Sequence, residues 1–177
     1  MLRLSASLMD QPVMSLRLGG QIATAVEPVI NPHNLKILGW WCKENGTPNP
    51  AVLLAEDVRD SNVHGLAVDD ESTLCVPADL VRHKEILDIH FRLLDKPVKT
   101  KRSKLGKVSD FSYNEGLFVQ KLYVARPMTK ILASEDTLIV DRTQILEVTD
   151  HYILVRDTDV TVGAEEVAGA ADAVPAV

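Results

Sequence analysis

The side chains with the greatest capacity for chemistry lie in a basic segment in the second half of the chain. Residues 96–107, KPVKTKRSKLGK, place six positive charges within twelve positions. These are Lys96, Lys99, Lys101, Arg102, Lys104 and Lys107. Such a cluster could bind the phosphates of RNA or an acidic protein surface. It could equally be a solvated strand edge, where lysine discourages edge-to-edge pairing. Because aromatic residues follow the segment only at Phe111 and Tyr113, base stacking is not predicted.

Two adjacent tryptophans, Trp40 and Trp41, are the other candidates for binding. They lie in LKILGWWC, residues 35–42, which reads as a strand. Successive side chains of a strand point to opposite faces, so one indole should face inward and the other outward. The outward ring could cover the seam between two structural units, or it could anchor a partner protein, since tryptophan is enriched at interface hot spots.

The remaining reactive residue types form no catalytic pattern. The five histidines are scattered, with no H-E-x-x-H and no Cys/His spacing typical of zinc. The acidic clusters lack the spacing of a calcium loop. The segment from Lys104 to Ser109 lacks the earlier glycine of a phosphate loop. The sequence therefore predicts a protein that is not an enzyme and has no catalytic, cofactor or metal site.

An internal repeat indicates which elements position these residues. The matched residues are Leu8, Asp10, Pro12, Val13 and Gly20 in the first copy and Leu93, Asp95, Pro97, Val98 and Gly106 in the second. Aspartate followed by x-Pro predicts a turn, and the glycine predicts a position with positive φ or a tight strand entry. Downstream, residues 35–42 match 117–124, and residues 65–70 match 152–157. The chain is therefore predicted to contain two similar units.

Short apolar runs separated by turn residues predict an all-β barrel or sandwich rather than a βαβ fold. The first unit is predicted at 1–87 and the second at 88–162. Residues 3–9 and 12–18 read as a hairpin-like element. Residues 77–87, PADLVRHKEIL, have helical spacing and an early proline, so they predict a short linker helix. Residues 163–177 are small and poor in bulky apolar side chains, which predicts a disordered tail.

Composition and charge further narrow the class of protein that is predicted. The 177 residues are 46% hydrophobic and 25% charged, as expected for a globular protein. No apolar run is long enough to span a membrane, and the N-terminus lacks the apolar centre of a secretory signal. Cys42 and Cys75 are expected as unpaired small apolar residues in a reducing compartment, so a cytoplasmic protein is predicted. The net charge of −6 is unevenly distributed along the chain, with the acidic excess in the first half and the tail, and this asymmetry argues against a generic nucleic-acid binder.

The repeated pattern resembles a known family. L-x-D-x-P-V, a spacer, and G-K-V-S-D at residues 106–110, followed by an alternating strand, resemble the PRC-barrel family. These small β-barrels occur in the photosynthetic reaction-centre H subunit and at the C-terminus of the ribosome-maturation factor RimM. The resemblance covers two tandem copies, roughly 3–87 and 88–160, and it implies an all-β fold of two tandem small β-barrels. The first copy departs from the pattern, with Thr24 aligned to Asp110.

The resemblance is strong evidence for the fold of this protein and weak evidence for its function. Members act mainly as adaptor or scaffold modules that bind other proteins, and RimM binds the assembling small ribosomal subunit. The expected function is therefore a non-enzymatic adaptor that binds a protein through barrel surfaces. The alternative is an RNA- or ribosome-associated assembly factor that uses residues 96–107.

Overall fold

Strands dominate the structure, a computed structural model that describes residues 1–126 and 137–157. Of these residues, 52% lie in strands and 17% in short helical segments, so the all-β prediction is confirmed. In chain order the strands are β1 Arg3–Leu4, β2 Gln11–Ser15, β3 Gly20–Asn31, β4 Lys36–Glu44, β5 Pro50–Leu54, β6 Val58–Asn62, β7 Gly65–Val68, β8 Leu74–Cys75, β9 Pro97–Lys99, β10 Lys104–Tyr113, β11 Val119–Ala125, β12 Thr137–Asp141, β13 Ile145–Val148 and β14 Ile153–Val155. The predicted tail at 163–177 lies outside the described residues.

The helical segments are short. One six-residue α-helix, α1, spans Lys84–Ile89. Single 3-10 turns lie at Ser5–Leu8, Ala55–Asp57, Glu71–Thr73, Pro77–Asp79, Val81–His83 and Arg142–Gln144. The stretch predicted as a linker helix, 77–87, is therefore two 3-10 turns followed by the start of α1.

Two curled sheets share one strand order. The first runs β6-β7-β2-β3-β4-β5-β8, and the second runs β13-β14-β9-β10-β11-β12. Each contains a parallel pair at the same place, with Val13 opposite Leu66 between β2 and β7 and Val98 opposite Ile153 between β9 and β14. Strand β8 continues the first sheet beyond β5, and no described strand takes the corresponding place beyond β12 in the second sheet. The repeat in the sequence is thus a repeat of topology.

The backbone of the two copies repeats in detail at the turns. Asp10 and Asp95, the aspartates of the repeated motif, both have left-handed φ, at 50° and 62°. Leu35 and Leu117, which lie just before β4 and β11, also share a left-handed φ, at 54° and 60°. Aspartate tolerates this region because its side chain can hydrogen-bond locally, whereas leucine there requires support from the surrounding structure.

The strand register corrects part of the predicted alignment. Val13 lies opposite Ala23, and Val98 lies opposite Gly106, so the counterpart of Gly106 is Ala23 rather than Gly20. After a bulge in each strand, Glu27 pairs with Trp41 and Asp110 pairs with Tyr123. The counterpart of Asp110 is therefore Glu27 rather than Thr24. The observed counterparts lie three residues beyond the predicted ones, because the spacer before the glycine differs in length between the two copies and Gly20 is not the counterpart of Gly106.

The two sheets meet at equivalent turns. The amide of Ile37 donates to the carbonyl of Leu117 at 2.7 Å, and the amide of Val119 donates to the carbonyl of Leu35 at 3.0 Å. Lys36 lies opposite Phe118 between these bonds. The two donors, Ile37 and Val119, are counterparts, and so are the two acceptors, Leu117 and Leu35. The two bonds are therefore related by an approximate two-fold axis that passes between the turns. Buried residues from both sheets form one contiguous hydrophobic core.

The segment that leads into each unit packs on the other unit. β1 pairs with β10 of the second sheet, with Arg3 opposite Tyr113 and Leu4 opposite Ser112. Residues 3–9 therefore do not form a hairpin with 12–18, and that prediction was wrong. The helix α1, which precedes the second unit, packs Leu87 against Val29 and its neighbours in the first sheet. The segment that precedes each unit therefore packs on the sheet of the other unit and links the two.

Candidate interaction surfaces

The basic segment, residues 96–107, contains the whole of β9, the turn that follows it and the start of β10. Two of its lysines are engaged within the molecule. The ammonium of Lys96 donates to the carbonyl of Asp150 at 2.7 Å and lies 4.6 Å from the ring centroid of Phe91. That of Lys99 lies 3.4 Å from the ring centroid of Tyr152. Partial burial lowers the pKa of Lys96 from its ordinary value. These two lysines pack against aromatic rings and do not project freely.

The other four cations of the segment are exposed. Arg102 pairs with Asp157 at 3.5 Å, an exposed contact that contributes little to stability. The side chains of Lys101, Lys104 and Lys107 have no ion-pair or hydrogen-bond partner within the part of the chain that the structure describes. Of the predicted basic site, these three lysines are the ones available to another molecule.

The tryptophans divide between the two faces of β4, as the alternation predicted. Trp40 is 3% exposed and belongs to the core shared by both sheets. Its indole Nε1 is buried and has no hydrogen-bond partner among the described residues. Trp41 is half-buried and stacks on His90, with the ring centroids 4.5 Å apart and the planes at 11°. Trp41 therefore covers the end of α1, and its role as a partner anchor stays a prediction.

Sequence reasoning missed an exposed apolar turn between β2 and β3. Met14, Leu16 and Leu18 are 36%, 63% and 59% exposed, and we call these three residues the apolar tip. The turn is held by hydrogen bonds: the amide of Leu16 donates to the carbonyl of Val68 at 2.9 Å, and the amide of Leu18 donates to the side-chain hydroxyl of Ser15 at 3.1 Å. The leucines are presented on an ordered scaffold. The sequence predicts residues 12–18 as part of a hairpin-like element, and no local pattern indicates that these apolar side chains are exposed.

The apolar tip and the basic segment occupy counterpart positions. Ser15 and Thr100 are both buried, and each hydroxyl accepts an amide of its own turn. The ion pair of Arg17 with Asp70, at 3.2 Å, corresponds to that of Arg102 with Asp157.

Counting from Val13 and Val98, Met14 stands where the second unit has Lys99, and Leu16 stands where it has Lys101. The same turn structure thus presents apolar side chains in the first unit and cationic side chains in the second.

The motif aspartate has a partner within the molecule. Asp110 accepts hydrogen bonds from the amide and hydroxyl of Ser5 and from the amide of Phe111. Its counterpart Glu27 forms an ion pair with Arg92 at 3.3 Å. Ser5 and Arg92 lie in the segments that lead into the first and second units. Both acidic residues therefore fasten the leading segment of the opposite unit.

A cavity of about 320 Å³ opens where the first sheet meets the β10–β11 turn of the second. Its lining includes Arg3, Trp40, Ala55, Asp60, Tyr113 and Leu117. A related cavity of about 310 Å³ lies near the counterpart turn of the first unit. Its lining includes Asn34, Leu35, Arg142 and Ile145.

Groups associated with metal or nucleophilic chemistry are not assembled in the part of the chain that the structure describes. Among those residues, no three His, Cys, Asp or Glu side chains are grouped so that they could hold a metal ion. Burial raises the pKa of the Cys42 thiol to about 12, so the thiol stays protonated at neutral pH.

Within residues 1–126 and 137–157, no helix has the length and apolar character needed to cross a membrane.

No known family model matches this chain, and no curated protein is significantly similar to it in sequence. Its function is therefore inferred from its own residues.

Proposed function

We propose that this protein is a non-enzymatic adaptor built from two tandem PRC-type barrels, joined by the helical stretch at 77–87. The shared strand order and the matching parallel pairs of the two curled sheets support this architecture. The partner is a protein that binds barrel surfaces. Two free cysteines suit a reducing, cytoplasmic setting.

The apolar tip is the observation that carries the proposal. Leu16 and Leu18 expose most of their side chains on a turn that is fixed by hydrogen bonds. Burying one leucine side chain in an interface is worth roughly 1.5–3 kcal/mol. Because the turn is already ordered, little conformational entropy is lost when a partner covers it. An ordered exposed apolar turn is a suitable centre for a protein interface.

The test compares proteins retained by the immobilised wild type with those retained by the L16S/L18S variant, using nuclease-treated lysate from the source organism. We expect specific partners to bind the wild type and to be reduced at least tenfold on the variant. The matched control is V63S/V81S, because Val63 and Val81 are 91% and 76% exposed but lie away from the tip. Equal recovery of the same proteins on wild type and L16S/L18S would exclude the tip as the docking site.

An RNA- or ribosome-associated assembly factor is the second candidate, favoured by the three unpartnered lysines of the basic segment. We expect K101S/K104S/K107S to weaken binding to purified ribosomal subunits and to reduce the slope of log affinity against log salt by about 2–3. The control K43S/R82S/K84S removes the same charge from exposed positions elsewhere. A salt slope that is identical for wild type and both variants would reject this candidate.

A further inference from the structure

A groove of about 370 Å³ lies where α1 packs on the first sheet. Its lining is mainly apolar and includes Trp41, Pro50, Pro77, Leu87 and His90. The volume lies within the range of ligand sites, which are mostly apolar with a few polar groups that fix orientation. None of these five residues belongs to the apolar tip or to the basic segment, so the groove is a separate surface.

Trp41 brings an accessible hydrogen-bond donor to this groove. Its indole Nε1 has no hydrogen-bond partner among the described residues. Unlike the Nε1 of Trp40, this nitrogen is not sealed from solvent. An indole N–H can donate but cannot accept. A ligand that covers this group has to supply an acceptor, because the donor otherwise loses its bond to water without replacement.

His90 fixes the position of the Trp41 ring. The two rings stack, with their centroids 4.5 Å apart and their planes at 11°. His90 caps the C-terminus of α1 with φ 47°, and its amide donates to the carbonyl of Leu87 at 3.2 Å. Leu87 is 4% exposed and anchors the helix on the first sheet. The indole is therefore ordered before a ligand arrives, so that little conformational entropy is lost on binding.

The remaining lining residues add rigid apolar surface and solvated charge. Pro50 and Pro77 present pyrrolidine rings and have no backbone N–H. Lys84 and Asp88 also line the groove, but both are exposed and carry opposite charges. Solvated charges of this kind contribute little to binding. The groove thus selects for apolar groups around an acceptor that reaches the Trp41 donor.

We propose that this groove binds a proline-rich segment of a partner protein in the polyproline II conformation. Such a segment has no internal hydrogen bonds, so its carbonyls are free acceptors, and its prolines have no N–H that would need a partner. One carbonyl accepts the indole N–H of Trp41, and the neighbouring pyrrolidine rings pack on the apolar lining. Aromatic-lined grooves suit this ligand because the polyproline II helix is already formed before binding.

This proposal goes beyond the proposed function, which depends on the apolar tip. The tip lies in the turn between β2 and β3, whereas the groove is formed by β4, the start of β5 and the segment around α1. Binding of a proline-rich segment therefore does not require the tip. The variant L16S/L18S should bind the proline probe described below as tightly as wild type does, so the two proposals can fail separately.

The indole N–H resonance of Trp41 provides a direct readout by ¹H–¹⁵N NMR on the full chain. It is identified by its loss in W41F, and the remaining indole signal, that of the buried Trp40, serves as the internal reference. The probe is N-acetyl hexaproline amide, and the control peptide is a glycine–serine hexapeptide with the same blocked ends. We expect a saturable shift of the Trp41 signal with hexaproline and at least tenfold weaker binding of the flexible control.

Two variants test the location of the site. A78R places a long side chain in the groove from an exposed lining position, and we expect at least a tenfold loss of hexaproline affinity. V63R is the matched control, because Val63 is 91% exposed and lies outside the lining. W41F keeps an aromatic ring but removes the donor, and titration calorimetry should show a similar loss. This variant also decides the location if the spectrum of A78R shows misfolding.

A Trp41 signal that does not respond to hexaproline would overturn the proposal. Equal affinity for hexaproline and the glycine–serine peptide would overturn the assignment of a polyproline II ligand. Unchanged affinity in a folded A78R, or in W41F, would show that the peptide binds elsewhere on the protein.

Discussion

At the residue scale, two glycines that look equivalent in the sequence have different physical roles. Gly106 has φ 153°, and a Cβ added there would collide with the carbonyl of Ala125 in the neighbouring strand. Gly20 has no atom within 4 Å of such a Cβ and does not adopt positive φ. Glycine is therefore required for close strand approach at Gly106 and is dispensable at Gly20.

We predict that G106A lowers the free energy of unfolding by roughly 1–3 kcal/mol, because the added methyl forces both the backbone and β11 to move. G20A is the matched control and should change it by less than about 0.5 kcal/mol. Urea unfolding followed by circular dichroism measures both. Similar losses in the two variants would contradict the distinction drawn between these glycines.

At the element scale, features set by local chemistry could be predicted and features set by distant pairing could not. The all-β class, the turn at Asp10 and the opposite facing of Trp40 and Trp41 depend on neighbours in sequence, and the structure agrees with each. The pairing of β1 with β10 joins residues more than a hundred positions apart, and no local pattern in residues 3–9 indicates it. The sequence consequently predicts a hairpin for those residues.

The candidate sites follow the same division. A dense run of cations is visible in the sequence, but which lysines are available depends on Tyr152, Asp150 and Asp157, which the fold brings to the segment. The apolar tip was missed because Leu16 and Leu18 resemble core residues until the turn is known to project from the sheet. The strand register places Met14 and Leu16 where the second unit has Lys99 and Lys101, and this correspondence is not visible in the sequence.

At the scale of the whole molecule, the two units share their core and exchange their leading segments. Units of this size bury only about 60% of their unfolded surface, so each is marginal alone. Here the missing burial is supplied by the other unit, through the paired turns at Leu35 and Leu117 and through β1 on the second sheet. We therefore expect the two halves to unfold together, although the sequence divides them into a tandem pair.

Val13 and Val98 allow this to be tested at matched positions, since they are counterparts and are 0% and 1% exposed. Each change to alanine removes buried apolar volume, and we expect a loss of about 1–3 kcal/mol from V13A and from V98A alike. In differential scanning calorimetry, wild type and both variants should show one transition, with the calorimetric and van't Hoff enthalpies equal. Independent units would instead give two transitions, with V13A lowering the temperature of one and V98A that of the other. A single transition that moves in both variants means that the shared core holds the two sheets in one cooperative structure.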